Sequence, residues 1–239
     1  MKSPAQRHYE RVSAEEAAAS AAPGESLAGV SAYELMLAKL ATDRRRLKSI
    51  ASIQRKIEVK RAELLPEYVD YVAGALAGGR GAQDDVLTAV MIWRVDTGDF
   101  AGALDIARYA LAHRMTLPDQ YDRPLATAIA EEFAEAAITA CRNGGTFDIA
   151  QLAEVAQLTE SADMHDQVRA KLHKAIGYAC AAELDEGESL VGVDVGRAHE
   201  SLNNLRRALE LDARAGVKQD IARLEKRLSI ATGGDAGRT

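Results

Sequence analysis

The chain has few of the residues that mark several common classes of protein. Its 239 residues include two cysteines, five prolines and 5% aromatic residues. Cys141 and Cys180 have neither zinc-ligand nor redox-motif spacing, so we expect small buried thiols in a reducing compartment. No apolar run is long enough to span a membrane, and the charged N-terminus is unlike a signal peptide. These absences argue against a disulfide-rich secreted protein and predict a soluble intracellular protein without a membrane partner.

The abundant residues are those of helices. Apolar residues make up 47% of the chain, many of them alanine, which is the best helix former. We therefore expect an all-α fold, in which a long N-terminal basic helix precedes an array of helical hairpins. After residue 80 the pattern predicts helices over 81–97, 100–114, 126–143, 147–159, 164–184, 196–216 and 217–231.

Composition divides the chain into four predicted segments. Residues 1–30 are rich in small and polar side chains and predict a flexible N-terminal arm. Residues 31–65 predict one long basic helix that ends at Pro66, because the residue before a proline disfavours helical geometry. Residues 66–230 predict the α-helical hairpin body, and residues 231–239 a flexible tail.

The largest change in composition lies in residues 39–61, which we call the basic segment. It carries net charge +7 in a chain of net charge −6, so the other 216 residues carry −13. A positive helix on an acidic protein predicts contact with polyanions, and the absence of a clear recognition helix favours contact with the DNA backbone over base reading. The predicted DNA-binding residues are Lys39, Arg44, Arg45, Arg46, Lys48, Arg55, Lys56, Lys60 and Arg61.

The same helix carries a partial heptad pattern. Six of nine seam positions are apolar, which predicts packing on another helix or another subunit. The predicted oligomerisation residues are Met36, Leu40, Leu47, Ile50, Ile57 and Leu64.

The sequence offers little that predicts catalysis. Residues 78–81 are glycine-rich but lack the Lys-Ser/Thr of a phosphate-binding loop. The neighbouring acids Asp84/Asp85, Asp96/Asp99 and Glu131/Glu132 lie at predicted helix starts or turns, where capping explains them. We therefore expect no catalytic residue, no metal site and no other cofactor.

Two other functions remain open on these residues. A weak internal repeat, in which Gly98 precedes IARYAL and Gly196 precedes LRRALELD, resembles the second helix of a tetratricopeptide unit. The chain would then be a tetratricopeptide-like helical adaptor without DNA function, and the basic face a coiled-coil surface. A nuclease in its own right is the other alternative, and it would require metal-dependent cleavage by the isolated chain.

Several stretches together resemble the GpM family of phage terminase small subunits. They follow the family's order over almost the whole chain: SPAQRH (3–8), RVSA (11–14), YELMLAKLATD (33–43), GAQDDVL (81–87), WRVDTGDFAGALDIARYAL (93–111), LTESADMHDQVRAKLHK (158–174) and RRALELDARAGVKQDIARLEK (206–226). The fifth stretch is long and unusual, and it makes the resemblance specific.

The resemblance implies a role in packaging viral DNA. Its expected partners are double-stranded viral DNA at the cohesive-end site, the large terminase subunit and further copies of the chain in a ring. The large subunit would carry the ATPase and nuclease, although the family is often labelled as the endonuclease subunit. This chain ends with little basic character, where members of the family can carry a basic tail, so we expect residues 39–61 to contact DNA. The expected location is the cytoplasm of the infected bacterium.

Overall fold

The computed structural model describes residues 2–118, 123–184 and 190–233, and within them the fold is all-α, as predicted. The chain forms two compact units, Met1–Leu125 and Ala126–Thr239. The only β-type pairing among the described residues is a single bridge between Ser26 and Gln83. The tetratricopeptide-like character of the hairpins stays a prediction.

The first unit is built on six helices and one π-helical turn. They are α1 (Pro4–Ala19), α2 (Ser31–Lys48), α3 (Ile53–Val59), the π turn (Lys60–Leu64), α4 (Leu65–Gly78), α5 (Asp85–Thr97) and α6 (Phe100–Ala112). Helix α5 is buried almost all round and packs against α2, α4 and α6. It joins α6 through Gly98, whose φ of +80° suits glycine, and Asp99 caps α6 by accepting the Gly102 N–H at 3.1 Å.

The second unit begins within α7 (Leu125–Arg142), the first residue of which belongs to the first unit. It continues with α8 (Ile149–Leu158), α9 (Asp166–Ala182), α10 (Val193–Leu211) and α11 (Lys218–Gly233). Helix α10 packs closely on α9, because Gly177 lets Leu205 approach and the Ser201 hydroxyl donates to the Gly177 carbonyl at 2.7 Å. Helix α11 extends to Gly233, and the rest of the predicted tail lies outside the described residues.

The predicted flexible arm is wrong for residues 4–19, which form α1. Small residues explain the docking of α1 on α4: a Cβ added to Gly74 would lie 2.1 Å from the Arg11 carbonyl oxygen, and one added to Gly78 would lie 2.2 Å from that of Glu15. Two helices whose backbones approach this closely can pack without large apolar side chains. A pattern of large apolar residues therefore does not reveal α1. Residues 24 and 25 are also held, through hydrogen bonds to residues 81 and 83.

The predicted long helix over residues 31–65 is also wrong, since it breaks between Lys48 and Ile53. The Ser49 hydroxyl donates to the Arg46 carbonyl at 2.7 Å, and the Ser52 hydroxyl caps α3 by accepting the Arg55 N–H at 3.2 Å. Serine side chains that compete for backbone groups end one helix and begin the next. The heptad pattern continues through residues 49–52, so the pattern alone gives no indication of the break.

Pro66 does not end the helix, because the π turn comes before it. The Leu65 N–H bonds to the Lys60 carbonyl, five residues back, and Pro66 then lies in the first turn of α4, where its missing N–H is not needed. The boundary predicted between residues 65 and 66 therefore falls inside continuous helix, and the boundary between compact units lies at Leu125.

Most of the predicted oligomerisation seam is core of the first unit. Met36, Leu40, Leu47 and Leu64 are buried within the chain, whereas Ile50 and Ile57 are partly exposed. The four buried residues are corrected from subunit interface to internal packing. A helix hairpin that folds back on the body covers the same apolar stripe that another subunit would cover.

This correction predicts a large effect on stability for one leucine of α2 and almost none for another. Leu40 is 0% exposed and Leu35 is 70% exposed. Replacing Leu40 with alanine leaves a cavity and should lower the free energy of unfolding by about 2–5 kcal/mol, whereas Leu35→Ala should change it by less than about 0.5 kcal/mol. Denaturant unfolding measures both. A decrease in oligomer mass in Leu40→Ala, with stability unchanged, would restore the seam as an interface.

A buried carboxylate begins α5. Asp84 accepts the Leu87 N–H at 2.8 Å and the Tyr71 hydroxyl at 2.7 Å. Complete burial raises the pKa of Asp84 from 3.8 to about 6, the bonds from Leu87 and Tyr71 opposing the rise. Its role is to cap the helix and to satisfy a buried phenol.

The raised pKa of Asp84 predicts a pH-dependent stability. The folded chain holds the proton more tightly than the unfolded chain, so this contribution is complete below about pH 4 and is lost as the pH rises to about 6. The unfolding free energy of the wild type, minus that of Asp84→Asn, should fall by on the order of 3 kcal/mol across this window. Denaturant unfolding from pH 4 to pH 7 measures it. Asp85→Asn is the control and should retain most of the dependence; a flat difference for Asp84→Asn would contradict the assignment.

Candidate nucleic-acid interface

The basic segment spans three structural parts, the C-terminal half of α2, the turn 49–52, and α3 with the first residues of the π turn. Seven of its nine cations lie on α2 and α3, which the turn joins, and the other two, Lys60 and Arg61, lie on the π turn, so the cations do not follow one straight helix. This arrangement concentrates positive charge at the C-terminal end of α2 and along α3. Neither of these stretches contains enough acidic residues to neutralise it.

Four of the nine predicted DNA-binding residues form ion pairs. Lys39 pairs with Asp43 on its own helix at 2.8 Å, and Arg55 pairs with Glu58 at 3.1 Å. The other two pairs join residues that are farther apart in the sequence: Arg46 with Glu63, and Lys60 with Asp96 at 2.5 Å. Lys39 and Lys60 are the more enclosed of the four, with 28% and 13% of their side chains exposed.

The other five cations have no carboxylate within ion-pair distance among the described residues. They are Arg44, Arg45, Lys48, Lys56 and Arg61. Arg45 donates to the Thr42 hydroxyl at 3.2 Å and Arg61 to the Thr97 carbonyl at 2.6 Å, and neither bond neutralises a charge. One terminal nitrogen of Arg44 is buried and without a hydrogen-bond partner. Arg45, Lys48 and Arg61 are exposed, and their uncompensated positive charge is therefore available to a polyanion.

A buried tyrosine on α4 connects α2 with α5. Tyr68, on α4, donates its hydroxyl proton to Asp43 of α2 at 2.7 Å, and Lys39 lies 4.8 Å above its ring. The Tyr68 ring meets Trp93 of α5 edge-on, with centroids 5.9 Å apart. Burial, reinforced by the Asp43 carboxylate, raises the pKa of Tyr68, so the phenol stays protonated and remains a donor.

Sequence reasoning missed this cluster. Asp43 occupies one of the three polar positions of the heptad seam, seven residues after Met36, and an acid at a core position needs a buried donor. Tyr68, two helices further along the chain, supplies it. An acid at a heptad position that is otherwise apolar indicates a buried hydrogen bond, but the sequence does not identify the donor.

Two of the three N-terminal cations, Lys2 and Arg7, pair with acids. Lys2 pairs with Glu10 at 2.5 Å, and Arg7 pairs with Asp70 at 3.1 Å. Arg11 lies 3.5 Å from the ring of His8. The charges of Lys2, which precedes α1, and of Arg7 are therefore neutralised within the first unit.

The acids that a metal nuclease would need are engaged in other roles. Asp84 is a buried helix cap, Asp99 caps α6 and pairs with Arg94 at 2.7 Å, and Asp96 pairs with Lys60. In the second unit Glu131 pairs with Lys171 at 3.0 Å. No three His, Cys, Asp or Glu side chains come together to hold a metal ion in the described parts of the chain.

His173 is 2.9 Å from the Asn204 side chain on α10, and His165 is the N-cap residue of α9, so both have structural surroundings. None of the helices within the described ranges is long and apolar enough to cross a membrane.

Known proteins match most of this chain. Residues 37–167, which include the whole basic segment, match the family model described as phage small terminase subunit. The chain is 48% identical over 229 residues to the terminase, endonuclease subunit of Escherichia phage P2, which covers 95% of this chain and 86% of that protein. It is 24% identical over 213 residues to the probable terminase, endonuclease subunit of Haemophilus phage HP1 (strain HP1c1), covering 85% and 73% respectively. No solved structure matches. The chain therefore belongs to the phage small terminase subunit family.

Proposed function

We propose that this chain binds double-stranded viral DNA at the packaging site through the basic segment. The observation that carries the proposal is the set of five cations without carboxylate partners, on a segment of net charge +7 in an acidic protein. Duplex DNA releases counterions when cations neutralise its phosphates, and the free energy gained does not depend on base sequence. An acidic body repels DNA elsewhere and confines the contact to this surface.

The nine predicted DNA-binding residues divide into three groups. The primary phosphate-binding residues are the cations of α2 and α3 that have no acidic partner, namely Arg44, Arg45, Lys48 and Lys56. Arg61, on the π turn, also lacks an acidic partner. Arg46 and Arg55 are exposed and can exchange an acid for a phosphate. Lys39 and Lys60 are enclosed by aromatic rings and acids, and we assign them to the support of the surface.

We propose further that the chain recruits and regulates a large terminase subunit and assembles as a homo-oligomeric ring in the cytoplasm of the infected bacterium. Family membership supports both statements. A ring would repeat a weak phosphate-binding surface around one DNA and raise its avidity. The buried seam residues cannot supply the ring interface, so other surfaces must, and the exposed apolar side chains of Leu35, Tyr9 and Ile53 are open to such contact.

Both relatives are named as endonuclease subunits, and we assign the cleavage step of this system to the large subunit. The acids in question hold helix starts and basic side chains in place. Hydrolysis of a phosphodiester needs an activated water and stabilisation of phosphoryl charge, usually by metal that convergent carboxylates hold. Asp84 is enclosed and already accepts two hydrogen bonds, so it is poorly placed to hold a metal against DNA.

Removing the unpaired cations of α2 tests DNA binding. Arg44→Gln, Arg45→Gln and Lys48→Gln together should weaken binding to all duplex sequences alike. They should also flatten the slope of log affinity against log salt by up to about 0.9 for each phosphate that the variant no longer neutralises. Fluorescence anisotropy of a labelled duplex at several salt concentrations measures both. Unchanged affinity and slope would mean that the segment is a solvated face.

The matched control is on α10 and α11 of the second unit. Arg206→Gln, Arg207→Gln and Arg223→Gln remove the same charge, but these arginines are each paired with an acid, namely Glu225, Glu210 and Asp220. The control variant should bind with nearly the wild-type slope. Native mass measurement of the same samples, with and without duplex, gives the stoichiometry; a monomer at micromolar concentration in both would contradict the ring.

A plasmid assay tests the assignment of catalysis. The isolated chain should neither nick plasmid carrying the packaging site nor hydrolyse ATP with magnesium or manganese present, and it should stimulate a large subunit that does both. Gel electrophoresis of the plasmid and phosphate release measure these activities. Metal-dependent nicking by the isolated chain that disappears in Asp85→Asn would show a nuclease centre at the start of α5.

A further inference from the structure

The most distinctive stretch of the sequence, residues 93–99 (WRVDTGD), lies against the basic segment. The Asp96 carboxylate pairs with the Lys60 ammonium at 2.5 Å, and the Thr97 carbonyl accepts from the Arg61 guanidinium at 2.6 Å. The Lys60 nitrogen also lies 5.9 Å from the centroid of the Trp93 ring. The C-terminal end of α5 thus holds two consecutive cations at the start of the π turn.

A chain of interactions continues from there through the core to the other basic helix. Trp93 meets Tyr68 edge-on, and Tyr68 donates to Asp43, which also accepts from Lys39. Asp43 is the residue immediately before Arg44 and Arg45. One connected set of interactions therefore runs from the end of α5, through α4, to the helix that bears the unpaired arginines.

We propose that Asp96 is a positioning residue for DNA binding, acting through Lys60 to hold α3 and the π turn in register with the end of α2. This inference rests on the proposed function of the basic segment. A π turn is a local departure from the ordinary helix and is stable only where its surroundings support it. Asp96 and the Thr97 carbonyl are that support on the side of α5. Cations held in a fixed array lose less conformational freedom when they meet a row of phosphates.

The sign of one measurement separates positioning from simple electrostatics. Asp96 is a negative charge beside the surface that would meet DNA. If it acted only as a charge, or if it occupied Lys60 in place of a phosphate, its removal would leave DNA affinity unchanged or raise it. A positioning role requires the opposite result: removal of the negative charge of Asp96 weakens binding to negatively charged DNA.

The experiment compares three variants in salt titrations against the same labelled duplex. Asp96→Asn should weaken binding by roughly three- to tenfold. Asp96→Glu, which keeps the carboxylate, should recover most of the affinity. Asp105→Asn is the control, since it removes the same charge from an exposed acid on α6 that pairs with Arg108 at 2.6 Å, and it should bind at least as tightly as the wild type. Asp96 is partly exposed, and a pair of this kind contributes little to folding, so the Asn variant should remain folded.

Two further readouts distinguish positioning from a general disruption of structure. Hydrogen exchange should become faster in residues 53–64 of Asp96→Asn and stay unchanged in α9 and α10. In the Lys60→Gln background Asp96→Asn should cause no further decrease in affinity, because its effect passes through Lys60.

The outcomes also separate this inference from the proposed function. If the wild type binds with a steep salt dependence and the Arg44, Arg45, Lys48 variant is weaker, DNA binding stands. Equal or tighter binding by Asp96→Asn in that case overturns the positioning role alone. If the wild type and the Arg44, Arg45, Lys48 variant bind alike, the proposed function fails and the inference fails with it.

Discussion

The hydrogen bond from Tyr68 to Asp43 is the interaction on which the basic surface depends. Its donor is fully buried on α4, and its acceptor lies on α2, directly before the arginines. A buried carboxylate without a donor would be strongly unfavourable, so the bond makes this one placement of α2 against α4 the favoured one. Trp93 against the Tyr68 ring adds α5 to the same cluster.

Charge is distributed around this cluster in a consistent way. The acids of the first unit pair with Lys39 and Lys60, the two most enclosed of the paired cations, and leave Arg44, Arg45 and Lys48 of α2 without a carboxylate partner. We infer that the paired, enclosed cations support the surface and that the unpaired cations contact the ligand. Counting positive charge in the segment treats both kinds alike, and overstates the number of phosphates the segment can meet.

The acidic residues show why residue type is a weak guide to chemistry. Asp84, Asp96 and Asp99 lie close together along the chain, as the carboxylates of a metal site often do. In the folded chain they face different partners: a phenol and a backbone N–H, a lysine, and the first turn of the next helix. Asp84 and Asp99 serve as N-caps, where the geometry of a helix start favours an acid.

The sequence alone determined the all-α class, the seven helices after residue 80, the basic segment and the family, because helix propensity, capping and composition are local properties. It did not determine α1, since the packing of Gly74 against Arg11 depends on the close approach of two backbones that are distant in the chain. The sequence pattern predicted a continuous helix through residues 49–52, because the apolar repeat continues unchanged where the chain turns from α2 into α3. Only the tertiary structure decided that Leu40 faces the core and which cations have acidic partners. Both depend on residues such as Tyr68, Trp93 and Asp96, which folding brings together from separate helices.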